Sequence, residues 1–337
     1  MENIRDILVS VEQMQQSMEQ SIAIRAQNLR KNFGPLAAVD NISFSIKKQE
    51  IVGVLGPNGA GKTTTIRLLT GLYPALPGSS IQIFNEDMTT NPLLCKSLIG
   101  IVPEISNAFL DYSVLQNLQF TGQLFGLTKK EIRERSTSLL QRYDLTDKAK
   151  SLTKALSKGL KQRLNFCMAL LHDPPILIFD EPTAGLDPMS VRVLREQILH
   201  LRETGKTILL TTHDMQEAQK ICDRVLIINK GKIIVDESPD VLRAKFGNAR
   251  VILFKSAADL PESLVTSFRS NFSQGTSLKL LKNGYYQFSS KEPVADIVKI
   301  HNLLQNNGIS ISDIKLEETS LEDIFIQLIQ KERESNE

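Results

Sequence analysis

The chain has 337 residues, long enough for two domains, and its 41% hydrophobic and 23% charged side chains are an ordinary globular balance. A net charge of +2 with scattered basic residues lacks the electrostatic footprint of a nucleic-acid binder, so no nucleic acid is expected as a partner. No apolar run approaches the roughly 18 residues that cross a bilayer, and the opening MENIRD lacks the order of a signal peptide. The three cysteines, Cys95, Cys167 and Cys222, have neither pairing nor metal spacing and read as small buried thiols of a reducing cytosol. The expectation is a soluble chain, or one held at a membrane by a partner.

In chain order, Ile4, Ile7, Val11, Met14 and Met18 make one apolar seam on a short helix without a cationic face. Residues 1–21 therefore read as a helical extension, a frayed terminus being favoured over a docking helix. From Ile22 to Ile46 the pattern is strand-like, with a turn at Asn32 to Pro35 that leaves Phe33 on a loop. There it either stacks on a purine or closes a small β-layer.

Glu50 to Leu55 reads as a buried strand and Lys62 to Leu72 as a helix, and between them runs Gly56-Pro57-Asn58-Gly59-Ala60-Gly61-Lys62-Thr63-Thr64. This fits the phosphate-loop pattern G-x-x-x-x-G-K-[ST] in its strand-turn-helix setting. Gly56, Gly59 and Gly61 let the backbone curl with its N–H groups inward at a helix end that favours negative charge. Lys62 then reaches the β- and γ-phosphates, and Thr63 offers its hydroxyl to Mg²⁺.

Further on, Ser80 to Phe84 and Ser97 to Pro103 read as strands, the second stopping at Glu104, and Ser113 to Phe125 and Lys129 to Tyr143 as helices of an insert. Ser157 is a good N-cap for a helix whose Gly159 allows close backbone approach, an ordinary capped helix or an anion site. Ile176 to Phe179 is an apolar strand ending in Asp180-Glu181-Pro182. Carboxylates at the C-terminal end of a buried strand need a cation, and a Mg²⁺ on Asp180 with Glu181 aimed at a water supplies the reason. After a turn at Ala184 to Pro188 come a helix, Val191 to Arg202, and a strand, Thr207 to Thr211, followed by His213 on the same predicted sheet edge. A hairpin around Lys230-Gly231 and a helix from Pro239 to Lys245 close the first domain near residue 247. The remainder, 248–337, reads β-α-β-β-α-β plus a final helix, which is ferredoxin-like, and carries no cluster with site geometry.

With these motifs in order, residues 22 to about 246 resemble the nucleotide-binding subunit of an ATP-binding-cassette (ABC) transporter: phosphate loop, LSKGLKQR, ILIFDEP, AGLD and His213. The resemblance implies an α/β phosphate-loop NTPase cassette over 22–247, with a mixed sheet core, a small antiparallel β-layer and a helical insert at about 92–166. It implies adenine stacked on Phe33, phosphates held by Lys62 and the backbone of Gly59 to Thr64, and Mg²⁺ among Thr63, Glu104 and Asp180. Glu181 polarises the attacking water and His213 touches the γ-phosphate, while Ser157, Gly159 and Asp187 complete the site of a second subunit. The implied function is an ATPase that drives a permease on separate chains, peripheral to the cytoplasmic side of the membrane. The SKG signature and the tail SLEDIF at Ser320 to Phe325 are similar to type-2 exporters of drugs, lipids or polysaccharides. The family usually has glutamine at Glu104 and glycine at Lys158; Lys158 is expected near the partner's phosphates. The rival readings are a soluble non-transport ABC ATPase and a poorly hydrolysing regulatory subunit of a heterodimer.

Overall fold

The computed structural model describes residues 21–246, 250–257, 260–261, 264–265, 268, 278–281, 283–290, 292–317 and 321–334. The expected seam at Ile4 to Met18 lies outside these residues, as does most of the helix expected over 262–271. The chain divides between Glu237 and Ser238 into two compact units.

The first unit opens with two long antiparallel strands, β1 (Ile22–Phe33) and β2 (Leu36–Lys47), joined by a tight turn through Gly34 at φ 58°. With β4 (Ser80–Ile83) and β5 (Glu86–Asp87) they form a four-stranded antiparallel layer in the order β2-β1-β4-β5. Phe33 is thus the last residue of β1 rather than a loop residue. The central sheet holds β3 (Ile51–Leu55), β6 (Ile99–Val102), β7 (Ile176–Asp180), β8 (Thr207–Thr212), β9 (Arg224–Asn229) and β10 (Lys232–Glu237). Their order is β10-β9-β3-β8-β7-β6, parallel throughout except for β10, which turns back on β9. Strands β3 and β7 are buried at every residue, which is why they read as unbroken apolar runs rather than alternating ones. Parallel pairing brings the C-terminal ends of β3, β7 and β8 to one edge.

Helix α1 (Lys62–Leu69) follows β3 and stops before the expected Leu72. The Thr70 hydroxyl bonds back to the Ile66 carbonyl and Gly71 takes φ 63°, so Leu72 leaves the helix exposed. Short helix α2 (Pro92–Ser97) precedes β6. Because β6 pairs with β7 inside the central sheet, the insert begins after Val102, not at 92 as expected. The insert itself carries α3 (Val114–Leu124) and α4 (Lys129–Arg142), each closed by a capping box, Ser113 with Gln116 and Thr128 with Glu131. Helix α5 (Lys158–Leu170) begins at Ser157, whose hydroxyl accepts from the Leu160 N–H. Helices α6 (Pro188–Glu203) and α7 (Met215–Ile221) pack beside β8. All three cysteines are buried and free, as expected, and burial pushes the Cys167 and Cys222 thiols up beyond reactivity.

The second unit starts earlier than the expected 248. Helix α8 (Pro239–Phe246) packs on the last helix, α10 (Leu321–Glu334), with Leu242 buried, and so belongs with that unit. Strands β11 (Arg250–Ser256), β12 (Lys279–Leu280), β13 (Tyr286–Ser290) and β14 (Ile311–Glu317) pair antiparallel in the order β12-β13-β11-β14, with α9 (Pro293–Gln305) against the sheet. This is the ferredoxin-like order. Ile252, Phe254, Phe288, Ile300 and Leu304 form its own core.

Candidate functional site

The phosphate-loop conformation is dictated by glycines. Gly56, Gly59 and Gly61 all have positive φ, and a Cβ on Gly61 would stand 2.3 Å from the Ala38 carbonyl oxygen, one on Gly56 2.3 Å from that of Ile228. Helix α1 starts from this loop with no acidic side chain in its first turn, so its N-terminal amides face an unopposed anion position. The Lys62 ammonium, on a side chain only 7% exposed, donates to the Gly56 carbonyl at 2.8 Å and pairs with Glu181 Oε1 at 3.3 Å.

Two carboxylates meet this loop from β7. The Thr63 hydroxyl donates to Asp180 Oδ1 at 3.3 Å, and the Thr211 hydroxyl of β8 donates to the same oxygen at 2.6 Å. Thr211 Oγ1 in turn accepts from the Glu181 N–H at 3.0 Å. Glu181 sits at φ 47°, a left-handed conformation that costs a non-glycine residue on the order of 1–3 kcal/mol and is held here by those bonds from β8. Its Oε2 lies 2.8 Å from His213 Nδ1. A carboxylate only accepts, so the proton of that contact sits on Nδ1. Lysine, glutamate and histidine form one line, Lys62 to Glu181 to His213, with the glutamate side chain 10% exposed and the histidine 61%.

Phe33, Pro57, Asn58, Gly59, Ala60, Gly61, Lys62, Thr63, Thr64, Glu104, Glu181 and His213 line one cleft of about 400 Å³. Gly56 and Asp180 join it through their bonds to Lys62 and Thr63. At the cleft mouth Phe33 meets Tyr73 edge-on at 5.7 Å and remains 44% exposed, so packing the β-layer and presenting a ring are compatible. Thr211, Leu36 and Ala38 were not singled out by sequence; a hydroxyl at the end of a buried strand beside DEP was the available signal for Thr211.

Three expected residues lie apart from this cleft. Ser157 is exposed at the start of α5, and with Gly159 it lines a separate hollow against α6. Asp187 caps α6, accepting from the Met189 and Ser190 N–H groups and the Ser190 hydroxyl, which hold its carboxyl below the ordinary aspartate range. Lys158 binds its own chain: its ammonium donates to the Ala184 carbonyl at 2.8 Å, against the expectation that it projects toward a partner. Among the described residues no three His, Cys, Asp or Glu side chains cluster as a metal site, and no helix is long and apolar enough to cross a membrane.

A glycine cradle, a buried lysine and a paired Asp-Glu on the edge of a parallel sheet define a phosphate-loop nucleotide hydrolase with a cassette-type helical insert. The model of the ABC transporter family matches residues 39–184. The chain is 40% identical to the Nod factor export ATP-binding protein I of Ralstonia nicotianae, over 65% of this chain and 68% of that one. To the linearmycin resistance ATP-binding protein LnrL of Bacillus subtilis it is 37% identical, over 73% and 79%. Among solved structures, an ATP-binding subunit of an ABC transporter superposes with TM-score 0.62 at 28% identity, covering 67% of this chain and 93% of that one. The protein cbiO1 of Clostridium perfringens, part of the ABC transporter complex cbiONQ, does so with TM-score 0.61 at 29% identity, over 67% and 92%. The chain belongs to the ABC transporter family as an ATP-binding subunit, an ATPase.

Proposed function

We propose that the chain powers an exporter: ATP closes two ATP-binding subunits against each other, hydrolysis reopens them, and the motion passes to permease subunits on separate chains. The observation that carries this reading is the division of the site residues. Lys62, Asp180, Glu181 and His213 converge in one cleft, while Ser157 and Gly159 stand exposed on another face, so each copy offers one half of an ATP sandwich. Export rests on the names of the relatives, which concern Nod factor export and linearmycin resistance.

In this reading Phe33 stacks on adenine, and the loop amides from Gly59 to Thr64 with Lys62 hold the phosphates. Glu181 accepts a proton from the attacking water, and His213 keeps that carboxylate aimed while touching the γ-phosphate. Catalysis is then mainly positioning and electrostatic stabilisation. The donor set suits Mg²⁺, since the Thr63 hydroxyl and Asp180 carboxylate are hard oxygens already in contact, and the Glu104 carboxylate lines the same cleft. Bound there, the ion neutralises charge on the phosphate oxygens. Lys62 must exchange Glu181 for phosphate, which frees that carboxylate for the water.

The permease surface we assign is a groove of about 540 Å³ between β6 and the insert, lined by Leu72, Ile101, Phe109, Phe120, Leu124 and Phe125. Leu72 and Leu124 are 68% and 69% exposed, more apolar surface than a free-standing subunit needs to show. Such docking holds the chain at the cytoplasmic face of the membrane. Purified Glu181→Gln with MgATP tests the sandwich by light scattering: a stable dimer is expected. Monomers alone, both free and in detergent extracts containing the permease, refute it.

A further inference from the structure

Glu217 is a buried carboxylate outside the cleft, and its partner is specific. On a side chain 8% exposed, it takes both Arg195 contacts: Arg195 Nε donates to Oε2 at 3.3 Å and a terminal guanidinium nitrogen donates to Oε1. Forked pairing of this kind fixes both distance and orientation. Arg195 belongs to α6, whose N-cap Asp187 follows the Glu181 turn; Glu217 belongs to the first turn of α7, whose N-cap Asp214 directly follows His213. The pair therefore spans the two segments that carry the carboxylate and the imidazole.

We propose that the Arg195–Glu217 pair is a positioning device that sets His213 against Glu181. Helix α7 has only seven residues, too few to hold its own direction, and it depends on tertiary contacts. Met215, Ala218 and Ile221 supply apolar burial, which resists lifting of the helix but not rotation about its axis. The guanidinium fork supplies the missing constraint. His213 needs it because, at 61% exposure, its ring has the 2.8 Å contact to Glu181 and little packing around it. A rotated α7 carries the imidazole away from the carboxylate while leaving the phosphate loop, on α1, untouched.

The inference rests on the reading of His213 as a site residue, and the test separates the two. Side-chain ¹⁵N spectra of the four histidines report the His213 hydrogen bond directly. Glu217→Gln is expected to shift the His213 signal alone and to lower kcat about tenfold, with KM for ATP within about twofold. Arg195→Met with Glu217→Leu, which keeps the burial and removes the fork, is expected to do the same with an unfolding midpoint near the wild-type value. Arg192→Gln, which breaks the exposed Arg192–Glu196 pair on the same helix, must change neither readout. A wild-type His213 signal and kcat in Glu217→Gln overturn the proposal, as does a general shift of all four histidines with a lowered midpoint. His213→Ala is the separate arm: full activity there refutes the site role of His213, while the spectra still decide the tether.

Discussion

The phosphate-loop half and the signature half of the site are built differently. Lys62, Asp180, Glu181 and Thr211 are buried and bonded to one another, so folding of a single chain completes that half. Ser157 is exposed and its hydroxyl caps its own helix. Lys158 and Gln162 then tie that helix back to the Ala184 and Pro182 carbonyls of the loop after Glu181. The first half is preorganised chemistry; the second is a surface with a rigid backing.

The sharpest way to break this contrast is at Glu181. Its replacement by Gln is expected to lower turnover by about 10²–10⁴-fold, as for loss of a general base, with ATP affinity nearly unchanged by filter binding. Next, Lys62→Ala is expected to cost about 10²–10³-fold in turnover and to weaken ATP binding, because it removes a preorganised cation. Ser157→Arg is expected to abolish turnover too, yet leave ATP binding to the single chain intact. A mixture of Lys62→Ala and Ser157→Arg copies regains activity if the halves come from different molecules, and stays inactive if they do not.

Smaller effects refine the picture. Glu104→Gln is expected to keep ATPase activity within about tenfold, because either side chain can reach the ion or its water. A loss of about a hundredfold means that the carboxylate charge itself is required. The least effect is expected at Asp187. Ser190 depresses its folded pKa, so its stabilising contribution is present above the unfolded value and disappears only as pH falls through the lower folded one. Asp187→Asn, an equally good cap, is expected to leave the unfolding midpoint at pH 7 in place and to flatten its acid-side fall alone.

Much of the cassette was legible because its signals are local. Glycine spacing, strand ends and N-caps specify backbone shape within a few residues, which is how Gly56 to Thr64, Ser157 and Asp180-Glu181 could be read directly. Short elements were lost for the same reason: α2 and α7 are too brief to show a helical period, and β5 has two residues. The unit boundary was misplaced because α8 shows a helical pattern wherever it packs, and only its contact with α10, far along the chain, assigns it.

By itself, the order of residues determined the class of fold, the phosphate cradle and the carboxylates at its edge, since those depend on steric rules that act between neighbours. Tertiary structure alone decided that Thr211 steadies both Asp180 and Glu181, that Lys158 turns inward to Ala184, and that Arg195 meets Glu217. Each of these joins residues on different elements. Their hydrogen bonds have directions set by how strands and helices pack, and no local pattern carries that information.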